Sequence, residues 1–469
     1  MSKSMGVALD LDSDLAGLAD ARSKAREARL AFQAFSGADQ EKVDNIVRAM
    51  ADAGTAAAKE LARMAVDETG FGVYEDKILK NLYNTKFVAA SMLPMRTVGV
   101  LWVDEVNRMT AVGSPMGVIA AIIPVTNPTS TVLFKCLAAV KSGNAIICAP
   151  HPRAVKCCIR TAEIMAEAAV KAGAPTGLIS CLSLPTIQST GELMRHPDVS
   201  VVLATGGPGM VRAAYSSGKP TFAVGAGNVP VYIHRSVKDV KEAALMAITS
   251  KSFDNGTACV AEQSIVLDEP IAEAGIAAFA AQGTFFLSGP DQKRLADIIF
   301  TDKGELRPEA VGLSAQELAR RINLSVPGDC KVLGAHLTEV GPQARLSREI
   351  LGPVLSFYRT ADLPAGFERC RQILAFGGEG HTLGLHCEDD RVIATLAALP
   401  AGRIVINTPT LFGGMGYSCA TDPSFMLGTG TWSGSIVSDN VTPLHLINIK
   451  RIAHEVRPWR SLYQANMGL

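Results

Sequence analysis

The chain has 469 residues, which is too long for one compact core and predicts two or three packed domains. Hydrophobic residues make up 48% of the chain and charged residues 19%, so a large core can be buried and global disorder is excluded. Lysine plus arginine equals aspartate plus glutamate, at 45 each, so the basic excess typical of nucleic-acid and membrane-surface proteins is absent.

The sequence also argues against a membrane span, a signal peptide and a zinc site. The longest apolar run, around Met116 to Val125, is too short to span a bilayer, and the N-terminus lacks a signal-peptide pattern. The ten cysteines contain no C-x-x-C pair, so their spacing fits neither a zinc site nor a compact disulfide framework. We therefore expect a cytoplasmic protein with reduced thiols, no metal site and no membrane contact.

The first elements in chain order are Ala-rich helices. Apolar residues recur at helical spacing between residues 12 and 66 and predict one helix capped by Ser13 and a second that begins at about Asp39. Residues 96–112 place two apolar runs around a polar turn, which indicates a β-hairpin.

Strand and helix signals then alternate. A buried strand at 117–123 ends in a turn that contains Asn127, a helix follows from Thr129 to Lys141, and a strand at 145–148 ends in Pro150-His-Pro-Arg153. Similar signals continue at 159–172, 178–182 and 199–203. This alternation predicts an α/β fold with an open parallel sheet and a nucleotide at the carboxyl ends of its strands.

A glycine-rich turn, Thr205-Gly-Gly-Pro-Gly209, follows the strand at 199–204 and opens a helix. Glycines there let the backbone approach a phosphate near a helix N-terminus. The spacing departs from G-x-G-x-x-G, and a tight turn explains the glycines equally well.

Cys259 is predicted to lie on a loop between two regular elements. Ser236 and Asp239 form a helix start signal, and Asp254-Asn-Gly256 ends the apolar run that follows. Residues 263–267 predict a buried strand. A thiol held between rigid elements is well placed to be a nucleophile, although a free cysteine is more often an ordinary buried residue.

Four motifs carry a family resemblance: residues 203–220, residues 224–230, Phe253-Asp-Asn-Gly256, and residues 259–264. Their order and separation resemble the CoA-acylating branch of the aldehyde dehydrogenase superfamily, in which similar motifs occur in acylating acetaldehyde, succinate-semialdehyde and sulfoacetaldehyde dehydrogenases. The match extends from about residue 20 to about residue 455. It implies an enzyme that oxidises a small aldehyde with NAD or NADP and transfers the acyl group to coenzyme A.

The resemblance also implies the aldehyde dehydrogenase-like fold, with a Rossmann-type cofactor domain, an α/β catalytic domain and an oligomerisation arm. The dinucleotide-binding domain would comprise residues 1–95 and 113–230, and the oligomerisation hairpin and arm residues 96–112 and 436–469. Residues 231–410 would form the catalytic domain, and residues 411–435 would return to the cofactor domain. A homodimer or homotetramer is implied as well.

Single residues acquire roles from the same resemblance. Cys259 would be the nucleophile that becomes a thioester, and Asn127 would hold the oxyanion of the thiohemiacetal together with the backbone N–H of Cys259. Without that context, an Asx-turn is an equal interpretation of Asn127. Glu349, in Glu349-Ile-Leu-Gly-Pro353, would bind the nicotinamide ribose. Four further dinucleotide contacts are implied: Thr205, Gly206, Gly207 and Gly209.

His151 and Arg153 bear on the choice of nucleotide. Relatives that prefer NAD often place a glutamate after the strand that corresponds to 145–148, and this chain has Pro-His-Pro-Arg there. No carboxylate at that position would repel a 2′-phosphate, and Arg153 could pair with one, so NADP is favoured. A solvated surface arginine is the alternative.

Val224 occupies the position at which hydrolytic aldehyde dehydrogenases carry the glutamate that activates water. A valine cannot accept a proton, so the acyl-enzyme is expected to await a better nucleophile, and the thiol of CoA fits. Similarity to small-acid semialdehyde enzymes gives a slight lean to sulfoacetaldehyde, with succinate semialdehyde and acetaldehyde as alternatives. A hydrolytic aldehyde dehydrogenase and a non-catalytic nucleotide-binding protein are the rival classes.

Three residues stay without a firm role. His381 and His386 fit a His-Thr-x-Gly-x-His run of the acylating branch, and neutral, hydrogen-bonded histidines are the favoured interpretation. Contact of His381 with CoA or substrate is the alternative. Glu262 is left unassigned.

Overall fold

The N-terminal part of the protein is helical. The computed structural model describes residues 12–467, and the chain begins in it with five helices. They are α1 Ser13–Phe35, α2 Gln40–Ala56, α3 Ala58–Thr69, α4 Tyr74–Leu82 and α5 Ala89–Met92, with a π-helical stretch at Tyr83–Val88 before α5.

The capping residue of α1 corrects the sequence prediction. Asp12 is the N-cap, its carboxylate accepting a hydrogen bond from the backbone N–H of Leu15, and Ser13 is the first helical residue. Both residue types cap well, so the pattern alone could not separate neighbouring positions. Asp39 caps α2 as predicted, accepting from the N–H of Lys42.

The predicted hairpin is confirmed as β1 Gly99–Asp104 and β2 Met109–Pro115, which pair antiparallel. The second strand extends three residues beyond the predicted end at 112. Strand β1 is largely exposed, whereas β2 is partly buried between β1 and the C-terminal strand described below.

A five-stranded parallel sheet follows, as the alternation of signals predicts. Its strand order is β5-β4-β3-β6-β7. The strands are β3 Val118–Ile123, β4 Ala145–Pro150, β5 Ile179–Cys181, β6 Val199–Thr205 and β7 Thr221–Val224, and the connecting helices are α6 Pro128–Lys141, α7 Val155–Lys171, α8 Ile187–Arg195 and α9 Pro208–Tyr215. Every residue of β3 and β4 is buried, which explains their unbroken apolar sequences.

A seven-stranded parallel sheet forms the second half, in the order β10-β11-β12-β9-β8-β13-β14. Its strands are β8 Val229–Ile233, β9 Glu262–Asp268, β10 Thr284–Phe286, β11 Val332–His336, β12 Val354–Thr360, β13 Gly380–His386 and β14 Ala401–Ile406. The helices of this half are α10 Val240–Ser252, α11 Glu269–Ala281, α12 Gly289–Ile299, α13 Ala315–Arg321, α14 Leu363–Ala375, α15 Asp390–Leu396 and α16 Thr410–Gly414.

The C-terminal arm returns to the hairpin. Strand β15 Ile447–Ala453 pairs antiparallel with β2, so that β1, β2 and β15 form one three-stranded sheet, and α17 Arg460–Met467 follows. All of β15 after Ile447 is exposed. Across residues 12–467, no helix has the length and apolarity that crossing a membrane requires.

Candidate active site

Cys259 lies where the sequence predicts, on a loop between α10 and β9. Helix α10 is capped by Asp239 and continues into one 3₁₀ turn, Phe253–Gly256, in which Asp254 and Asn255 have φ of 50° and 53°. These left-handed conformations end the helix abruptly and turn the chain toward the sheet edge. The thiol is partly exposed at the end of this loop.

A histidine contacts the thiol directly. His381 Nε2 lies 3.2 Å from Cys259 Sγ, although 122 residues separate them in sequence. Burial and the charge of Arg403 lower the pKa of His381 to about 3, so the imidazole is neutral. Burial and the charge of Glu349 raise the pKa of Cys259 to about 12, so the resting sulfur is a thiol beside a neutral base.

The other side of the imidazole is held by Thr382. His381 Nδ1 lies 3.0 Å from Thr382 Oγ1, and a hydroxyl can donate to or accept from either tautomer. Arg403 Nη1 donates to Thr382 Oγ1 and to His381 O, at 3.3 and 3.2 Å, which fixes the strand segment. The structure thus supports the predicted neutral state of His381. It also shows a contact between His381 and the nucleophile that the sequence did not predict.

Asn127 is placed close to the nucleophile loop. It is the N-cap of α6 without a side-chain capping bond, so the Asx interpretation is not supported at this helix start. Its Nδ2 donates to Thr257 O at 3.2 Å, two residues before Cys259, and to Thr126 Oγ1 at 3.1 Å. The amide therefore faces the loop that carries the thiol.

Behind Asn127 lies a group that we call the lysine cluster, formed by Lys77, Lys80 and Asp254. Both lysines are buried, and both ammonium groups donate to Asp254 Oδ2. Lys80 also donates to Asn127 Oδ1 at 2.6 Å. Sequence reasoning missed this cluster, because a lysine pair three residues apart on a helix normally indicates a solvated face.

A second group near the thiol, which we call the Val224 wall, is formed by Val224, Gly227 and Glu349. Val224 ends β7 and is 3% exposed. An added Cβ at Gly227 would lie 2.1 Å from Cys259 O, so only glycine allows this loop to pack against the nucleophile. The backbone N–H of Gly227 donates to Glu349 Oε1 at 2.8 Å. The stretch that carries Val224 therefore leads directly to the thiol.

Glu349 belongs to this wall rather than to the open surface. Burial raises its pKa to about 7, while the Gly227 hydrogen bond and the charge of Lys251 oppose that rise. Buried Lys251 donates to Ile350 O and to Gln263 Oε1, each at 3.0 Å, and so fixes the backbone next to Glu349. Lys251 is a further buried lysine that the sequence did not reveal.

Glu262, left unassigned by the sequence, starts β9 and is completely buried. Its Oε1 accepts from the backbone N–H of Thr410 at 2.8 Å, and so holds the start of α16. Burial raises its pKa to about 7.

The predicted phosphate-binding turn lies at the carboxyl edge of the five-stranded sheet. Thr205 ends β6, and its buried Oγ1 has no hydrogen-bond partner within residues 12–467. A Cβ at Gly207 or Gly209 would meet no atom within 4 Å, whereas one at Gly206 would only touch Met210 at 3.4 Å. An unpaired hydroxyl beside open space in front of glycines fits a dinucleotide phosphate.

His151 and Arg153 lie at the same edge, after β4. His151 caps a short 3₁₀ turn, its Nδ1 accepting from the N–H of Arg153 at 3.1 Å. Arg153 Nη2 donates to Thr69 O at 2.8 Å, and its guanidinium lies over the Phe71 ring. A carboxylate does occur nearby: Glu68 accepts from the backbone N–H groups of Lys156 and Cys157.

His386 is not part of the site that these contacts define. It ends β13 and is 2% exposed, and burial lowers its pKa to about 4. Its neutral state agrees with the prediction, but the prediction of a hydrogen-bonded ring is wrong for Nε2, which has no partner among the described residues. The acylating-branch motif therefore places only one of its two histidines at the thiol.

Aromatic side chains lead from the surface toward the nucleophile loop. Phe87 and Tyr417 are 37% and 59% exposed, and their ring centroids are 5.0 Å apart. Tyr417 contacts Phe412, which contacts Phe253 at 5.8 Å between centroids. Phe412 and Phe253 pack with Ala258 and Val260, the neighbours of Cys259. We call these four rings the aromatic corridor.

Comparison with known proteins shows the family to which this chain belongs. The model of the aldehyde dehydrogenase family matches residues 12–300. A succinate-semialdehyde dehydrogenase (acetylating) from Clostridium kluyveri is 34% identical over 92% of this chain and 94% of its own length. The bifunctional aldehyde-alcohol dehydrogenase AdhE of Escherichia coli K12 is 40% identical over 92% of this chain, and the chain spans only 48% of that relative.

A solved structure supports the same assignment. The acetylating aldehyde dehydrogenase from Geobacillus thermoglucosidasius superposes with a TM-score of 0.93 at 47% identity, over 95% of this chain and 98% of that chain. The predicted aldehyde dehydrogenase-like α/β fold is thereby confirmed. The chain belongs to the aldehyde dehydrogenase family, among its acylating members.

Proposed function

We propose that this protein is a CoA-acylating aldehyde dehydrogenase that oxidises a small aldehyde with NAD or NADP and delivers the acyl group to coenzyme A. The observation that carries the proposal is the partly exposed Cys259 thiol at 3.2 Å from a neutral histidine, beside a wall whose predicted base position is valine.

The chain's own residues supply the covalent steps. His381 Nε2 accepts the thiol proton as the sulfur of Cys259 attacks the aldehyde carbonyl. Asn127 Nδ2 and the backbone N–H of Cys259 then donate to the oxyanion, which takes the place of Thr257 O as acceptor. The nicotinamide, when bound, accepts the hydride, and the cysteine is left as a thioester.

Val224 decides the fate of that thioester. An aliphatic side chain at the end of β7 can neither orient nor deprotonate water. The thiol of CoA is then the nucleophile that releases the acyl group, and the exchange of one thioester for another keeps the reaction reversible. Release of free acid without CoA would instead indicate the hydrolytic reaction.

NADP is the proposed nucleotide. Thr205, Gly206, Gly207 and Gly209 would receive the phosphates, Glu349 the nicotinamide ribose, and His151 and Arg153 the adenosine end. Support comes from the exposed guanidinium of Arg153 at the carboxyl end of β4. Both oxygens of Glu68 are engaged with backbone N–H groups, which offsets its negative charge. Arg153→Ala should therefore raise KM for NADP more than KM for NAD.

The aromatic corridor favours a small uncharged aldehyde such as acetaldehyde over the slight lean to sulfoacetaldehyde. A sulfonate or carboxylate needs a cation with free donors. Lys80 already donates to three acceptors, and Arg403 to His381 O, Thr382 Oγ1, Gly428 O and Ser438 O. Lys80 therefore has no donor to spare, and Arg403, which has five N–H donors and uses those of Nη1 and Nη2, keeps only its Nε–H without a partner among the described residues.

A homodimer or homotetramer built on the hairpin and arm is the proposed assembly. The three-stranded sheet exposes Trp102, Val103, Ile449 and Ile452 at 42%, 54%, 43% and 55%. Apolar side chains on a protruding sheet are typical of subunit interfaces. Light scattering coupled to size exclusion measures the assembly directly.

The experiment that tests the function quantifies products. Acetaldehyde, succinate semialdehyde and sulfoacetaldehyde are each incubated with NAD or NADP, with and without CoA, and acyl-CoA and free acid are measured by mass spectrometry. Turnover of the aldehyde that requires CoA and yields acyl-CoA supports the proposal. The fastest pair identifies aldehyde and nucleotide. Equal amounts of acid without CoA would make the enzyme hydrolytic, and no aldehyde-dependent reduction would make it a binding protein.

A further inference from the structure

Lys80 is a buried charged residue near the nucleophile loop whose ammonium group is fully hydrogen-bonded. It is 4% exposed, and its Nζ lies 2.6 Å from Asn127 Oδ1, 2.5 Å from Asp254 Oδ2 and 3.1 Å from Thr257 Oγ1. An ammonium group has three N–H donors, so three acceptors saturate it. No donor remains for an aldehyde, a phosphate or CoA.

The contact with Asn127 determines which way its amide points. An ammonium group only donates, so the amide must present Oδ1 to Lys80 and Nδ2 to the opposite side. A flip would bring the NH₂ group against the ammonium and lose a charge-assisted hydrogen bond. The same contact draws electron density toward Oδ1, which makes the Nδ2 hydrogens stronger donors.

We propose that Lys80 is a positioning residue that locks and polarises the amide of Asn127 for oxyanion binding. The inference rests on the proposed function, in which Asn127 Nδ2 holds the oxyanion. Lys80 acts on the reaction indirectly, chiefly through Asn127, because its ammonium is saturated and does not reach the reacting atoms.

Asp254 fixes the position of the Lys80 ammonium group. Its Oδ2 also accepts from Thr257 Oγ1 at 2.8 Å and from Lys77 Nζ at 3.0 Å, and its Oδ1 from Val73 N at 2.7 Å. The lysines and Asp254 thus tie α4 to the nucleophile loop, and Asn127 joins through Lys80. Lys80, which orients the amide, is thereby held in a fixed position relative to the loop that carries the thiol.

Lys77 provides the matched control. It lies three residues earlier on α4, is 3% exposed and binds the same Asp254 oxygen, but its other acceptor is Thr126 O rather than the Asn127 amide. A purely structural role for the cluster predicts similar losses at both positions. A role through Asn127 predicts a larger loss at Lys80 than at Lys77.

The test is a double-mutant cycle on the presteady-state rate of nicotinamide reduction, with Lys80→Met, Asn127→Ala, the double variant and Lys77→Met. Removing an oxyanion donor costs about 10²–10³ in rate, so Asn127→Ala should lose that much. We expect Lys80→Met to lose between about 10- and 100-fold in kcat with KM for CoA and nucleotide little changed, since the donor stays but is no longer aligned. The double variant should be no slower than Asn127→Ala, and Lys77→Met should lose less than Lys80→Met, because the Lys77 ammonium donates to Thr126 O rather than to the Asn127 amide.

Losses that multiply in the double variant, or equal losses at Lys77 and Lys80, would overturn the proposal. Melting curves check folding, and if Lys80→Met is unfolded, Lys80→Gln replaces it with the same non-additivity expected. A wild-type enzyme that needs no CoA would overturn the acylating function but leave this cycle valid, because the same oxyanion forms. A wild type with no aldehyde-dependent reduction would overturn both.

Discussion

The two sides of the Cys259 thiol differ in how completely their polar groups are satisfied. In the lysine cluster, the Asp254 carboxylate accepts four hydrogen bonds and Lys80 donates three. On the Val224 wall, the Glu349 carboxylate accepts one hydrogen bond among the described residues, from Gly227, and Thr205 Oγ1, in the glycine-rich turn, has no partner among them. The pKa values diverge accordingly: lowered for Asp254 by its lysines, and raised by burial to about 7 for Glu349.

This difference indicates which side of the thiol is held in place without a ligand and which side needs a ligand to complete its hydrogen bonds. A saturated cluster holds its arrangement without a ligand, whereas unsatisfied groups beside open space gain partners only when a ligand arrives. Under the proposed function, the protein would fix the oxyanion side in advance and leave the nucleotide side to be completed when the nucleotide binds. The predictions below probe the thiol between the two sides and then each side in turn.

The largest effect is expected at the thiol itself. Cys259→Ser should lower aldehyde-dependent nicotinamide reduction by at least about 10³-fold, because a neutral serine is a far weaker nucleophile. Cys419→Ser is the control, since Cys419 is the other partly exposed cysteine and contacts no residue of the proposed mechanism. Comparable loss in both variants would contradict the assignment of the nucleophile.

His381 comes next. His381→Gln keeps a polar side chain of similar size but removes the proton acceptor, and we expect about 10²-fold slower reduction and slower alkylation of Cys259 by iodoacetamide. His386→Gln changes a buried neutral histidine in the same strand and should leave both rates within a few-fold. If His381→Gln alkylates at the wild-type rate, the thiol does not depend on this base.

A smaller effect should appear at Val224, as a gain rather than a loss. Val224→Glu places a carboxylate at the end of β7, where it could activate water, and slow release of free acid without CoA is expected. Val224→Gln has a similar shape and no basic group, so it should release none. Acid release by both variants would show that water entry, rather than a base, limits hydrolysis.

The smallest effect concerns pH and stability. The pKa of Glu262 is raised by burial to about 7 from 4.5, so the folded protein binds a proton that the unfolded chain has released in this interval. The contribution of Glu262 to stability therefore falls as pH rises from about 4.5 to about 7. Glu262→Gln should remove this downward contribution to the pH dependence of Tm across that interval.

Glu317 serves as the control for this measurement. Arg320 and Arg321 lower its pKa to about 2, so its contribution is lost only at lower pH, as the pH falls below about 4.5. Glu317→Gln should leave the slope between pH 4.5 and pH 7 unchanged. An unchanged slope in Glu262→Gln would show that Glu262 does not titrate there.

Much of the fold follows from local sequence signals. Asp239 and the Asp254-Asn-Gly256 stop bracket α10, and the apolar runs of β3 and β4 predict buried parallel strands, because propensity and burial agree at these places. Thr205 ends β6 and the glycines follow it as predicted, and their contacts with a nucleotide stay predictions. The domain boundaries and the oligomer stay predictions.

The rest of the site depends on contacts between distant segments. His381 reaches Cys259 across 122 residues, and Lys80 reaches Asp254 across 174. A buried lysine and a surface lysine look alike in a helical pattern, so the lysine cluster and Lys251 could not be recognised. Glu68 lies on α3, so the residues that follow β4 in the sequence could not reveal it.

The central claim is that an acyl group on Cys259 waits for CoA, and rapid-mixing absorbance of the reduced nicotinamide tests it most directly. With aldehyde and nucleotide but no CoA, we predict a burst of one reduced nicotinamide per active site, followed by a stall that ends when CoA is added. Steady reduction through many turnovers before CoA is added would contradict the account and show that water resolves the thioester.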